Sequence, residues 1–106
     1  MTSSPEYRVH ISEKAKQMLD THAVFLAQIS EEASERLVAS FVNAANSLKT
    51  MPQRCPWLIG AHVPPNLYRY LLFEKRYAII FQTKNNVVYI DYVVDCRQDC
   101  GWLFQS

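Results

Sequence analysis

The stretch from Tyr68 to Asp99, YRYLLFEKRYAIIFQTKNNVVYIDYVVDCRQD, decides the fold. It holds three runs rich in β-branched and aromatic residues. Glu74-Lys75 breaks the first run from the second, and Thr83-Lys84-Asn85-Asn86 breaks the second from the third. Short polar breaks between such runs are hairpin signals. The prediction is three consecutive antiparallel strands with an arginine, Arg97, just past the last one.

Working back toward the N-terminus, residues 51–67 form a long loop with four prolines (Pro52, Pro56, Pro64, Pro65) and Gly60. Trp57, Leu58 and Ile59 interrupt its polarity and are expected to anchor it to the core. Long ordered loops are often functional, and this one reads equally as a packed connector.

Before the loop lie two helical patterns. Ser12 is the expected N-cap of the first, with Glu13 in a first turn where negative charge suits the helix dipole. Ala15, Met18, Leu19, His22, Leu26 and Ile29 recur at three- and four-residue steps as its apolar face. Ser30 caps the second helix, followed by Glu31 and Glu32. Its apolar face is Ala33, Leu37, Phe41, Ala44, Ala45 and Leu48, with Lys49 in the last turn and Pro52 ending it. So short a break between the two patterns predicts an antiparallel helical hairpin. Tyr7 to Ile11 alternates as a short strand, expected beside the last one in parallel or mixed pairing, and residues 1–6 form a polar, flexible arm. The expected class is α+β in the order β-α-α-β-β-β, a twisted, mainly antiparallel sheet with the helical hairpin on one face. The chain reads as a single domain over residues 1–106.

Composition narrows the function classes. A net charge of +1 gives no strongly basic field, so sequence-specific DNA binding by this chain alone is not expected. MTSSPEYR has no apolar leader core, and no window approaches the ~18 apolar residues of a membrane span. Cys55, Cys96 and Cys100 are odd in number, and the C-x-x-x-C spacing lacks a second ligand pair, so thiols in a reducing cytoplasm are expected, with no metal and no cofactor. His10, His22 and His62 stand at no metal or nucleophile spacing and read as core or surface residues.

Two-residue and four-residue hairpin tips place Phe73 opposite Arg76 and Gln82 opposite Val87. One face then carries Tyr68, Tyr70, Leu72, Tyr77, Ile79, Phe81, Val88, Ile90, Tyr92 and Val94, and is expected to pack on the helices. The other carries Arg69, Leu71, Phe73, Arg76, Ala78, Ile80, Gln82, Val87, Tyr89, Asp91, Val93 and Asp95. An apolar patch rimmed by charge marks a binding surface. Alternatively, Gly101-Trp102-Leu103-Phe104 folds back as its cover.

The element order, with YRVHIS, SLKTMPQRCPWL, YRYLLFEKRYAIIFQ and the final strand running into DCRQD, resembles the RelE/ParE superfamily of toxins from bacterial type II toxin–antitoxin systems over roughly Tyr7 to Phe104. The resemblance implies a cytoplasmic, growth-inhibiting toxin of the kind found in plasmid-stabilisation modules, neutralised by a cognate antitoxin. RelE-like members cleave mRNA on the ribosome without a metal, whereas ParE-like members inhibit DNA gyrase. Carried over by position, Arg69 and Arg97 match basic positions of the nuclease set, with Tyr89 as a stacking group or acid. Leu71 and Ala78 stand where RelE-like nucleases have cations, and Asp91 and Asp95 repel phosphate. Cleavage needs cations for the charge developing on phosphate, so the resemblance points to the ParE side. The alternatives are a ribosome-dependent endonuclease using Arg69, Arg97 and Tyr89, and an inactive interaction module that still binds the antitoxin. The expected target- or antitoxin-binding residues are Arg69, Arg76, Tyr89, Asp91, Asp95, Arg97 and Trp102, and Arg69→Ala and Arg97→Ala are expected to relieve toxicity without loss of fold. The bland alternative for Arg97 is an ion pair with Asp95 or Asp99 across the bend.

Overall fold

A computed structural model describes residues 6–60 and 63–97. Strand β1 (Arg8–Ile11) leads into helices α1 (Glu13–Ala27) and α2 (Glu31–Ser47), then β2 (Arg69–Phe73), β3 (Tyr77–Lys84) and β4 (Val87–Asp95). The sheet order is β1-β4-β3-β2, with β1 parallel to β4 and the rest antiparallel. This is the α+β architecture predicted from the sequence, including the place of the first strand.

Both helix starts follow from a serine. The Ser12 hydroxyl accepts the Ala15 N–H at 3.0 Å, and that of Ser30 accepts the Ala33 N–H at 3.1 Å; such caps contribute about 1 kcal/mol each. Helix α2 ends at Ser47 with Leu48 as its C-cap, so Lys49 falls beyond the last turn. The Lys49 carbonyl instead accepts the Tyr7 N–H at 2.8 Å and fixes the entry of β1. Ile29, expected on the apolar face of α1, lies past its end and is exposed.

The main core lies between helices and sheet. Leu37, Phe41, Ala45 and Leu48 of the second helical segment meet Phe73, Tyr77, Ile79, Phe81, Val88, Ile90 and Val93. Helix α1 runs beside β4 where β1 stops. There Ser12 N–H donates to the Ile90 carbonyl at 3.0 Å, and His22 Nε2 lies 3.2 Å from the Val93 carbonyl oxygen. Facing a carbonyl, that nitrogen must carry the proton. The bared edge of β4 is thus covered by a helix.

Two departures from the predicted register change which side chains share a face. The first hairpin pairs Phe73 with Tyr77 across a three-residue loop, Glu74-Lys75-Arg76, with Glu74 at φ 51° and Lys75 at φ 69°. One residue of slip moves a whole strand's side chains to the other face. Leu71 and Phe73 therefore join the helix-side core, and Tyr68, Tyr70 and Leu72 move to the opposite face. The second hairpin turns on Asn85-Asn86 alone, both left-handed at φ 53° and 65°, a conformation asparagine tolerates. Farther along, Phe81 pairs with Ile90 but Ile80 with Tyr92, leaving Asp91 as the extra residue of a β-bulge. The bulge flips the end of β4, so Val93 faces the helices and Tyr92 and Val94 face away.

In the long loop, Pro52 and Leu58 are buried, whereas Ile59 is exposed and does not anchor. Leu58 N–H donates to the Tyr68 carbonyl at 2.7 Å, and Tyr70 N–H to the Pro56 carbonyl at 3.2 Å. This extended piece covers the outer edge of β2. His62, Asp99, Cys100 and the Gly101–Phe104 segment lie outside the described residues, as do residues 1–5 of the arm.

Candidate interaction face

The face of the sheet away from the helices has a small apolar centre and an aromatic surround. Leu58, Ala78, Ile80 and Val94 are buried there, with Tyr68, Tyr70 and Tyr92 packed around them and half-buried. The Tyr68 and Tyr92 rings meet edge to face, centroids 6.1 Å apart at 66°. Lys14 of α1 holds its Nζ 4.8 Å from the centre of the Tyr92 ring, a cation–π contact. Leu72 extends the patch and is 53% exposed. Toward the other end, His10 and Tyr89 pack edge to face at 5.8 Å.

The bulge brings a carboxylate among these rings. Gln82 Nε2 donates to Asp91 Oδ2 at 2.8 Å, and the Ser12 hydroxyl reaches the Asp91 carbonyl at 3.4 Å. Burial first, then the charge of Asp91 and the neighbouring Tyr92, push the Tyr68 phenol above its ordinary pKa. Like any phenol at neutral pH, Tyr68 is protonated and able to donate. Rigid rings with polar tips around a dry centre are the residue class that anchors protein interfaces.

Among the described residues, those singled out from the sequence do not form one site: Tyr89 and Asp91 share the face away from the helices, Arg76, Asp95 and Arg97 meet at one end of the sheet, and Arg69 stands apart. Arg69 shares its face with Leu71 and Phe73, the helix side. Its Nη1 donates to the carbonyls of Cys55 at 2.6 Å and Gln53 at 3.2 Å, and its guanidinium carbon lies 3.7 Å from the Trp57 ring centre. Asp95 pairs with Tyr77 and is 4% exposed. Its Oδ1 accepts the Arg97 N–H at 2.9 Å, with Arg97 Nε 3.9 Å away. The ion pair across the bend is therefore present, and the Arg97 side chain is otherwise largely in solvent. Arg69 and Asp95 stand four residues apart along the strands, roughly 13 Å at ~3.3 Å per residue. Tyr89 and Asp91 lie on the opposite face, Arg76 belongs to the first hairpin tip, and Trp102 lies outside the described residues.

The residues that sequence reasoning missed are Tyr68, Tyr70, Leu72 and Tyr92, assigned there to the buried side, and Lys14. Both faces of β2 are apolar, so the pattern does not fix its register. The left-handed preference of Asn85-Asn86 marks a two-residue turn, but that corrects the β3–β4 register by two residues and moves no side chain to the other face. The three-residue loop and the bulge, which do move them, carry no such mark.

Among the described residues, no helix is long and apolar enough to cross a membrane, and no group of three or more His, Cys, Asp or Glu side chains stands together as a metal site.

No protein-family model matches the chain, and no curated protein matches it. Nine chains of solved structures do. One belongs to a structure described as "Chromosomal ParDE TA system from P. aeruginosa". It superposes with a TM-score of 0.68 at 19% identity, covering 87% of this chain and 98% of that one. At that identity the likeness is one of fold, and the fold is the ParE-like one that the sequence resemblance implied.

Proposed function

We propose that this chain is the toxin of a bacterial type II toxin–antitoxin pair, ParE-like in mode. It acts in the cytoplasm by binding a protein target, DNA gyrase being the candidate, and a cognate antitoxin neutralises it. The fold likeness to a chain of a ParDE system supports the toxin reading. The observation that carries the protein-binding reading is the composition of the sheet face away from the helices, as the described residues form it. A buried cluster of Leu58, Ala78, Ile80 and Val94 supports half-buried tyrosines and the exposed Leu72, the groups that a partner can reach. An RNA-cleaving site needs cations at the phosphate. Arg69, the cation that a nuclease would place there, is instead bound to loop carbonyls on the other side. Tyrosines and a protruding leucine suit a protein surface.

Inducible expression tests the proposal. Growth is expected to stop when the chain is made alone and to resume when the short reading frame beside its gene is co-expressed. Undisturbed growth with folded chain present contradicts it, and so does arrest accompanied by mRNA cuts in the ribosomal A site.

A further inference from the structure

The sheet face away from the helices is graded from one end to the other. Strand pairing divides it into rows. Where β4 leaves the sheet, Leu72 pairs with Ala78 and Ala78 with Val94; the next row is Tyr70, Ile80 and Tyr92. These are the apolar and aromatic groups of the face, with Leu72 exposed at their edge. Past the Asp91 bulge come His10, Tyr89 and Gln82, and then Arg8, Val87 and Lys84. The intervening Val9, Ile11, Val88 and Ile90 belong to the helix-side core, so alternation turns these last two rows to the same side as the tyrosines. From Ala78 to Lys84 along β3 the face passes from aliphatic through aromatic to basic, over roughly 20 Å at ~3.3 Å per residue.

The charges at the basic end are not answered within the chain. Arg8 and Lys84 flank Val87, about 10 Å apart across β4. Lys14 adds a further cation beside Tyr92. Among the described residues, none of these three is in an ion pair. The carboxylate of the face, Asp91, is held by Gln82 at 2.8 Å. A net charge of +1 conceals this segregation, because Glu31, Glu32 and Glu35 lie on α2, at the other side of the sheet.

We infer that the segment of the protein target received by this face is acidic at one end and aliphatic at the other. Its carboxylates meet Arg8 and Lys84, its apolar side chain covers Leu72, and the tyrosines lie between. The inference deepens the protein-target reading and rests on it. Two features select a protein over a nucleic acid. Asp91 stands mid-face, where a polyanion laid on the basic rows would have to pass it. Leu72 and Val94 offer nothing to a phosphodiester chain. The two ends divide the work of binding: unpaired cations steer the encounter, and apolar contact holds the complex once formed.

The test measures association and dissociation rates of the full chain with immobilised gyrase at low and at high ionic strength. Arg8→Glu/Lys84→Glu is expected to slow association at least roughly tenfold at low ionic strength, with the gap closing as salt rises. Dissociation is expected to change little. Leu72→Gln is expected to do the reverse, speeding dissociation and keeping the salt dependence. Lys16→Glu/Lys75→Glu makes the same change in net charge on α1 and at the first hairpin tip, and is expected to leave association within about twofold. Arg8→Gln/Lys84→Gln serves if the charge reversal does not fold. Association unchanged by the Arg8 and Lys84 substitutions, or slowed as much by the Lys16 and Lys75 pair, overturns the inference and leaves the gyrase reading standing. Gyrase that does not bind the unmodified chain overturns both. Tighter binding of single-stranded oligouridylate than of gyrase overturns the inference in favour of a nucleic-acid partner.

Discussion

Arg69 holds its guanidinium carbon 3.7 Å from the centre of the Trp57 ring while Nη1 donates to the Cys55 and Gln53 carbonyls. One side chain thereby ties the long loop to the edge strand at three points. Trp57 is itself bridged to Arg69 through the backbone. Charged hydrogen bonds contribute ~1.5–3 kcal/mol and cation–π contacts ~0.5–2, less where solvent reaches them. Arg69→Ala is expected to lower the stability of the fold by about 2 kcal/mol in urea unfolding. Arg69→Lys recovers less than half, because an ammonium has neither the planar face nor the fork. Any loss of toxicity in Arg69→Ala must therefore be read against its fold. An unchanged unfolding midpoint would show that the clamp contributes nothing and would return Arg69 to the set of contact residues.

Phe73 and Leu72 report on the register of β2. Phe73 is 7% exposed and packs edge to face on Phe41 at 5.9 Å, whereas Leu72 is 53% exposed on the open face. Phe73→Ala is expected to cost ~3–5 kcal/mol. Leu72→Gln, a surface change, is expected to stay within about 0.5 kcal/mol. Paired chemical denaturation curves of the two variants measure this. The reverse order would require the two-residue hairpin tip and the opposite assignment of faces.

The helical hairpin and the strand order were legible because each element carries its own signal. Ser12 and Ser30 cap as their positions predict, and the apolar spacing of Leu37, Phe41 and Ala45 is the buried stripe observed. The faces of the sheet were not legible. Leu71 and Leu72 are chemically the same, yet one is in the core and the other in water. Only the length of the Glu74-Lys75-Arg76 loop decides between them, and none of those residues prescribes it. The Asp91 bulge is equally silent, since Val93 and Val94 serve either face. The candidate site inherited both errors. Tyr68, Tyr70 and Tyr92 were placed under the helices, and Arg69 was placed in the open.

Glu74 gives the account a pH dependence. The Ser40 hydrogen bond, opposed by desolvation and reinforced by Arg36 and Lys75, holds its carboxyl below the ordinary range. A carboxylate with a depressed folded pKa stabilises the fold above its unfolded value, about 4.3. That contribution disappears as pH falls through the folded pKa. Ser40→Ala is expected to raise the Glu74 pKa toward its ordinary value and to make the acid loss of stability shallower. Carbon-detected titration of the Glu74 carboxyl in both proteins measures the first effect. An equal pKa in the two would show that the hydroxyl contact is not the cause.

The most direct measurement of the central claim is DNA supercoiling by purified gyrase in the presence of this chain. Supercoiling is expected to fall with the unmodified chain and to recover with a folded Tyr68→Ala/Tyr92→Ala variant, which removes the edge-to-face pair from the open sheet face. Supercoiling undiminished by the unmodified chain, or inhibition equally strong with the double variant, would contradict the proposal that this face binds gyrase.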